Sequence, residues 1–249
     1  MAAMLMMSAM QRVAARRACA AFGAAAMLAA APAIAARAAA PAPELDAVLL
    51  HESMTVSADG VTRTVTYRER MVRRDGHVWI ERVLPAGAKR AEAGDAHAHA
   101  GHKHFDFDAA ARHVTNDGGK IGVEYVDAAQ RTVVAVPPAE YETTGFDGSW
   151  DNAFYITPPS QLKRLAAKSK PGPAPGTRWY EQTVGALRAQ GVNRILWSDA
   201  LQAPLVVEYR SADGHASRKL TLTPAPRAKA PPWRQLQSYA RKEYADYLD

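Results

Sequence analysis

Hydrophobic and polar residues alternate along residues 61–72, where the pattern of the chain is clearest. Val65, Tyr67 and Met71 occupy one side of this stretch, and threonine and arginine residues occupy the other. A period of two residues is typical of a strand with one buried face. Asp75-Gly76 favours a tight turn, and His77–Leu84 continues the strand pattern. The alternation therefore predicts a β-hairpin over Val61–Leu84.

Further segments with strand character follow on both sides of this hairpin, bounded by turn-forming residues. Together with the hairpin they predict about eight to ten strands. Strands do not alternate regularly with helices, so a parallel sheet is not expected and neighbouring strands should pair antiparallel. The additional predicted strands are Ala47–Val56, Lys120–Val126, Arg131–Val136, Arg178–Val184, Asn193–Trp197, Pro204–Arg210 and Ala216–Leu222.

Two helices are predicted. Pro158-Pro159 followed by Gln161–Ala167 favours a short helix in the middle of the chain. Residues 232–249 are predicted to form a C-terminal amphipathic helix, because their apolar residues recur at helical spacing. That stripe consists of Trp233, Leu236, Ala240, Tyr244 and Tyr247.

These elements predict a mainly β, α+β fold. A single sheet must bury its apolar face against something, and helices are the available cover. The expected architecture is a curved antiparallel sheet or half-open β-barrel covered by helices, with the C-terminal helix packed on it. Residues 39–249 are expected to form one β-rich domain.

The first 38 residues have the composition of a secretory signal peptide. Arg12, Arg16 and Arg17 precede the apolar stretch Ala18–Ala31, and small residues suited to cleavage end at Ala38. The apolar stretch is too short and too rich in alanine for a membrane span. We therefore expect an exported, periplasmic protein that is soluble after cleavage.

Cleavage after Ala38 changes both charge and cysteine content. Four of the 31 basic residues precede the cleavage site and none of the 25 acidic residues does, so the net charge falls from +6 to +2. This small charge argues against nucleic acid as a partner. The only cysteine, Cys19, is also removed, which excludes disulfides, thiol catalysis and thiolate metal sites from the mature chain.

Four of the eight histidines fall in a loop predicted over residues 86–104, which has no apolar pattern. Imidazoles at this density can bind copper, zinc or nickel. A glycine- and alanine-rich loop is not preorganised, so loose binding without function and a pH-responsive loop are alternatives. His77 and His215 each follow a turn glycine and are expected to be exposed. The clustered residues are His97, His99, His102 and His104.

Catalytic candidates are few. Asp147 and Asp151 lie among aromatic residues, where paired carboxylates could perform glycosidase-like hydrolysis. The plainer interpretation is a loop whose aromatic residues cover one end of the sheet and whose acids cap turns and helix starts. No nucleophile elbow, phosphate-binding loop or zinc-protease motif is present in the sequence. No enzyme class is therefore supported.

Two strand segments resemble the LolA/LolB/RseB superfamily of periplasmic lipoprotein carriers and sensors. The first runs from Val65-Thr66-Tyr67-Arg68-Glu69-Arg70 through Trp79-Ile80-Glu81-Arg82. The second is Ile195–Tyr209, with its strand, Asp-containing turn, Leu/Pro and strand. The resemblance implies a half-open barrel whose hydrophobic cavity, closed by helices, binds acyl chains or a lipoprotein. The His-rich segment and the long aromatic segment between the two strand sets depart from that pattern.

The sequence thus favours a non-enzymatic periplasmic binding protein, carrier- or sensor-like, for a hydrophobic or lipidated ligand or a lipoprotein. Burying such a ligand requires no catalytic group and no cofactor. The partner could instead be a periplasmic protein. Two alternative functions stay open: metal binding by the histidine cluster and, second, carboxylate-dependent hydrolysis. The aromatic residues expected to line the cavity or the core are Tyr67, Trp79, Trp150, Trp197 and Trp233.

Overall fold

The alternating stretch folds as the expected hairpin. In the computed structural model, β2 (Thr62–Arg74) and β3 (His77–Val83) pair antiparallel across Asp75-Gly76. Gly76 has a φ of 67°, in the left-handed region that strains other residues. The structure describes residues 42–84, 105–107, 109–166, 169–185 and 190–247. The predicted leader (1–38) and His-rich loop (86–104) lie outside the described residues.

The described part of the chain forms one curved sheet of twelve strands that does not close. All pairs of neighbouring strands are antiparallel except the pair that contains the C-terminal strand, which is parallel. The remaining strands are β1 (Leu45–Val56), β4 (Ala111–Asp117), β5 (Lys120–Asp127), β6 (Thr132–Val136), β7 (Lys170–Pro171), β8 (Thr177–Val184), β9 (Gly191–Ser198), β10 (Ala203–Ser211), β11 (Ala216–Pro224) and β12 (Ala240–Glu243). Their spatial order is β12-β6-β5-β4-β3-β2-β1-β11-β10-β9-β8-β7.

Cross-strand register divides the sheet into two faces. Residues directly opposite each other share a face, so Val78 of β3 and Val114 of β4 lie together on what we call the inner face. Trp79 and His113, the next opposed pair, lie together on the outer face. The inner face carries the larger apolar cluster. The outer face carries a smaller cluster, formed by Val72, Trp79, Ala111, Val126, Val133 and Leu236.

Within the described residues, two short α-helices accompany the sheet. The mid-chain helix expected from the sequence is present as α2 (Pro159–Leu165). A further helix, α1 (Trp150–Tyr155), begins where Ser149 Oγ accepts the backbone N–H of Asn152. Phe154 of α1 is buried in the inner cluster. The segment that contains α1 therefore covers the sheet, as the plainer interpretation of its aromatic residues expected.

The predicted C-terminal helix over 232–249 is wrong. The chain forms a 3-10 turn over Pro232–Ser238, then strand β12, then a 3-10 turn over Tyr244–Tyr247. β12 pairs in parallel with β6 and satisfies backbone groups that would otherwise be exposed at a sheet edge. The apolar stripe is divided by this path: Trp233 and Leu236 pack on the outer face, whereas Tyr244 and Tyr247 pack in the inner cluster.

A fully buried arginine joins three distant segments to the inner side of the sheet. The guanidinium of Arg73 donates to the carbonyls of Leu201 (2.6 Å) and Gln202 (3.1 Å), in the turn between β9 and β10. It also donates to Phe154 O at 2.9 Å and to Pro43 O at 3.0 Å. Burial lowers the pKa of Arg73 to about 10, so the side chain stays charged at neutral pH. Arg73 therefore fixes α1 and this turn relative to β1 and β2.

Candidate functional site

β3 and β4 separate at one end, and this separation creates a large cleft. The two strands pair only where His77–Ile80 faces Arg112–Thr115. β3 continues to Val83, whereas the chain reaches β4 through Phe105–Phe107 and Ala109–Ala110. The cleft has a volume of about 830 Å³ and is lined from both faces of the sheet.

The apolar wall of the cleft is built on aromatic packing. The ring of Phe107 meets Tyr125 edge to face, with 5.1 Å between centroids, and lies 5.5 Å from the ring of Tyr244. Phe105 packs against Phe107 and against Tyr247 of the C-terminal turn. The C-terminal segment thus supports the wall from behind. The apolar residues that line the cleft include Val65, Tyr67, Ile80, Leu84, Phe107, Ala110 and Tyr125.

One end of the cleft carries a stack of polar side chains. The guanidinium carbon of Arg82 lies 3.7 Å from the ring centroid of Tyr67, a close cation–π contact. His51 stacks on Tyr67, with 4.5 Å between centroids. His51 Nε2 lies 2.8 Å from Glu69 Oε2. Burial, and then the charge of Glu69, raise the pKa of Tyr67, so its hydroxyl stays protonated.

Arg112 occupies the other side of the opening. Its Nη1 donates to Gly145 O at 3.1 Å, and its guanidinium lies 5.9 Å from the ring of Phe146. Its Nε is buried without a hydrogen-bond partner among the described residues. Arg112 therefore packs against the Gly145-Phe146 segment at the edge of the cleft.

The carboxylates of the cleft already have partners. Glu81 Oε1 accepts from Arg70 at 2.9 Å, and its Oε2 accepts from Trp79 Nε1 at 2.9 Å. Glu69 is adjacent to His51, and Asp106 accepts the backbone N–H of Ala109. Neither Arg82 nor Arg112 forms an ion pair within the described ranges. The cleft thus combines an apolar wall with charged side chains of both signs, and Glu69 lies directly opposite Arg82 in the strand register.

A second polar cluster lies on the outer face, where it ties β12 to the sheet. His77 Nδ1 is 3.1 Å from His113 Nε2, and His113 Nδ1 is 3.2 Å from Glu124 Oε2. Arg241 of β12 donates to Glu124 Oε1 at 2.6 Å. The ring of Trp233 stacks on both imidazoles. His77 is thus half-buried beneath Trp233, which corrects the expectation of an exposed hairpin residue, whereas His215 is exposed as expected.

The electrostatics of this cluster follow from its contacts. The hydrogen bond from His113, with the hydrogen bond and charge of Arg241, holds the pKa of Glu124 at about 2, although burial alone would raise it. Burial, and then the neighbouring His113, lower the pKa of His77, which favours its neutral form. Glu124 is therefore ionised at any pH at which the protein is expected to work.

The structure does not bring the five predicted aromatic residues together. Tyr67 and Trp79 line the cleft. Trp150, the first residue of α1, packs against the inner cluster, and Trp197 is buried with Leu162 of α2 in a third cluster. Trp233 lies on the outer face. The predicted metal ligands His97, His99, His102 and His104 are outside the described residues.

Within the described ranges, no three histidine, cysteine, aspartate or glutamate residues are grouped so that they could hold a metal ion. Asp147 accepts the backbone N–H of Ser149 at 3.0 Å and a hydrogen bond from the Asn152 amide. Its carboxylate thus caps the turn before α1, as the plainer interpretation of this segment expected. Asp151 lies in the first turn of α1 and is exposed.

Sequence reasoning missed Arg112 as a residue of the cleft, and it missed strand β4 entirely. β4 has polar residues on both faces, since Arg112 points inward and the buried His113 points outward. The alternation that identifies a half-buried strand is therefore absent from β4. β3 extends beyond the part of it that pairs with β4. The sequence of neither strand indicates where that pairing ends.

No protein-family model matches the chain, and no curated protein matches it significantly. Several solved structures align with most of the chain. An uncharacterised conserved protein from Thermus thermophilus shares 10% identity over 81% of this chain and 91% of its own, with a TM-score of 0.38. A LolA superfamily protein from Nitrosomonas europaea shares 8% over 77% and 89%, with a TM-score of 0.32.

A putative outer membrane lipoprotein-sorting protein domain from Vibrio parahaemolyticus shares 11% identity over 74% of this chain and 87% of its own, with a TM-score of 0.27. The superfamily that the sequence resembles is thus represented among the structural neighbours. No helix in the described ranges is long and apolar enough to cross a membrane.

Proposed function

We propose that this chain is an exported, non-enzymatic binding protein, a carrier or sensor, that holds the apolar part of an amphiphilic ligand in the cleft between β3 and β4. The observation that carries this proposal is the separation of the two strands in front of an aromatic wall. A cleft of about 830 Å³ is within the range of ligand-binding pockets, roughly 300–1,000 Å³.

The mouth of the cleft exposes apolar surface. Val83 and Leu84, at the end of β3, are 43% and 46% exposed, and Leu84 lines the cleft. Exposed apolar side chains beside a concave apolar wall are typical of a surface that a ligand covers. Burial of an alkyl chain there supplies affinity without any reactive group, at about 0.8 kcal/mol per methylene.

Binding of octyl, decyl and dodecyl maltoside, each below its micelle-forming concentration, tests this proposal by isothermal titration calorimetry. Affinity should rise with chain length, by up to roughly fourfold for each methylene that becomes fully buried. Leu84→Asp should weaken binding of the dodecyl compound about tenfold, because it places a charge against the alkyl chain.

Val61→Asp is the matched control. Val61 is 61% exposed and does not line the cleft, so the variant introduces the same charge elsewhere on the surface. Both substitutions are at exposed positions, so both variants should fold. An affinity that does not depend on chain length, or equal weakening by the two variants, would contradict the proposal.

A further inference from the structure

The C-terminal segment 232–247, which we call the strap, contacts both faces of the sheet at one edge. Its strand β12 is the edge strand and pairs with β6 on one side only. Before β12, Trp233 and Leu236 pack on the outer face, and after it Tyr244 and Tyr247 pack in the inner cluster. A short edge segment of this kind can open at a lower free energy than the rest of a domain.

On the outer face, the strap covers a pair of hydrogen-bonded histidines. Ionised Glu124 can only accept, so Nδ1 of His113 carries the proton that it donates to this carboxylate, and Nε2 of His113 accepts from Nδ1 of His77. The two imidazoles are parallel within 6°, and the indole of Trp233 lies within 11° of parallel to both. The hydrogen bond of Arg241 to Glu124 holds β12 beside them. The outer contacts of the strap therefore depend on this pair.

The groups around the pair determine how it responds to pH. Burial, and then the neighbouring His113, lower the pKa of His77, whereas Asp75 and Glu124 oppose this effect. Because the pKa is lowered in the closed form, the closed strap is most stable above about pH 6.5, the ordinary value for histidine, and loses stability as the pH falls below it. The charged groups that surround the pair are Glu124 of β5, Arg241 of β12, Arg74 of β2 and Asp75 of the turn before His77.

On the inner face, the same strap supports the wall of the cleft. The ring of Tyr244 lies 5.5 Å from Phe107, which lines the cleft, and the ring of Tyr247 lies 5.4 Å from Phe105. β12, which joins the outer contacts to these inner ones, is only four residues long. Opening of β12 therefore removes the support of the wall together with the cover of the histidine pair.

From this arrangement we propose that the strap is a pH-sensitive latch of the cleft. At neutral pH it holds the aromatic wall in place. At acidic pH a proton from solvent binds Nε2 of His77, which favours release of Trp233 and opening of β12, and the ligand leaves through the loosened wall. This inference rests on the proposed function and adds a means of regulation to it.

Hydrogen exchange of the ligand-free protein at pH 7.5 and pH 5.5, corrected for the intrinsic effect of pH on exchange, tests the latch. Two amides report on it: Ala240, which donates to Arg131 O at 2.9 Å, and Ala110, which donates to Asp106 O at 3.0 Å behind the wall. Exchange of both should be faster at the lower pH, by up to roughly tenfold per pH unit for one proton taken up. Amides of β9 and β10 should stay protected at both pH values.

Two variants remove the titrating group in different ways. His77→Asn keeps a donor for His113, and His77→Phe keeps a ring beneath Trp233. Both should lose the pH dependence of exchange. His215→Asn is the matched control, because His215 also follows a turn glycine but is exposed, so its variant should behave as the wild-type protein does.

Several outcomes would overturn the latch. These are exchange at Ala240 that does not depend on pH, a response at Ala240 without one at Ala110, a response that persists in both His77 variants, and equal loss of protection in β9 and β10. Dodecyl maltoside, whose headgroup does not titrate, should dissociate faster at pH 5.5 by the same factor as exchange, and an unchanged dissociation rate would also overturn it. Failure of this compound to bind at either pH would refute the proposed function, whereas the exchange results decide whether the strap opens.

Discussion

Replacing Arg73 with methionine should remove the contact that joins three distant segments of the domain. Methionine fills a similar space without a charge or a donor. The substitution leaves four backbone carbonyls, those of Pro43, Phe154, Leu201 and Gln202, without the guanidinium N–H groups that now bind them. Gln202 has a φ of 46°, a strained value for a non-glycine residue, so its turn depends on such contacts.

The magnitude follows from two opposing effects. A buried carbonyl that loses its donor costs about 2 kcal/mol, and four are affected. The lowering of the Arg73 pKa to about 10 corresponds to roughly 3 kcal/mol of burial cost, which methionine does not incur. The balance is a loss of stability on the order of 5 kcal/mol, comparable with the total stability of a marginal domain.

Urea unfolding monitored by tryptophan fluorescence measures this loss. Arg70→Gln on the same strand is the control, since the Arg70–Glu81 pair is about one-third exposed and should contribute less than about 1 kcal/mol. Arg73→Lys keeps the charge but cannot reach all four carbonyls, so we expect an intermediate loss. A value for Arg73→Met within about 1 kcal/mol of the wild-type protein would refute the reasoning.

Two further predictions concern the outer face and the sheet. The folded-state pKa of Glu124 is depressed from 4.5 to about 2, so its ionised carboxylate stabilises the folded protein by an amount on the order of 3 kcal/mol. This contribution to the free energy of unfolding should be complete above about pH 4.5 and lost as the pH falls through 2. The difference in unfolding free energy between wild type and Glu124→Gln should therefore shrink across that window, and a pH-independent difference would contradict the assignment. Gly191→Ala should destabilise β9 by about 1–3 kcal/mol, since its Cβ would lie 2.4 Å from the Tyr209 ring and 2.7 Å from Arg210 O; an unchanged thermal midpoint would exclude that clash.

The sequence was most informative where one face of a strand is buried and the other is not. Val65, Tyr67 and Met71 alternate with polar residues, and the hairpin of β2 and β3 has the expected bounds to within a residue at each end. The Asp75-Gly76 turn adds a local signal of its own. Strand alternation of this kind is read from a few neighbouring residues, because side chains of a strand point to opposite faces in turn.

Helical spacing was misleading at the C-terminus. Trp233, Leu236 and Tyr244 would share one face of a helix, yet the chain passes the edge of the sheet and buries them on opposite faces. The open edge of β6 offers backbone partners to residues 240–243, and those partners lie more than a hundred residues away in sequence. A local pattern contains no information about that edge.

What the sequence by itself determined is therefore the strand-rich class, the main hairpin and the short helix α2. The tertiary structure alone decided the separation of β3 from β4, the cleft that results from it, and the strand that replaces the expected C-terminal helix. The physical reason is the range of the interactions involved. Alternation and turn preferences act between near neighbours, whereas strand pairing, edge coverage and the burial of Arg73 depend on groups that only the folded chain brings together.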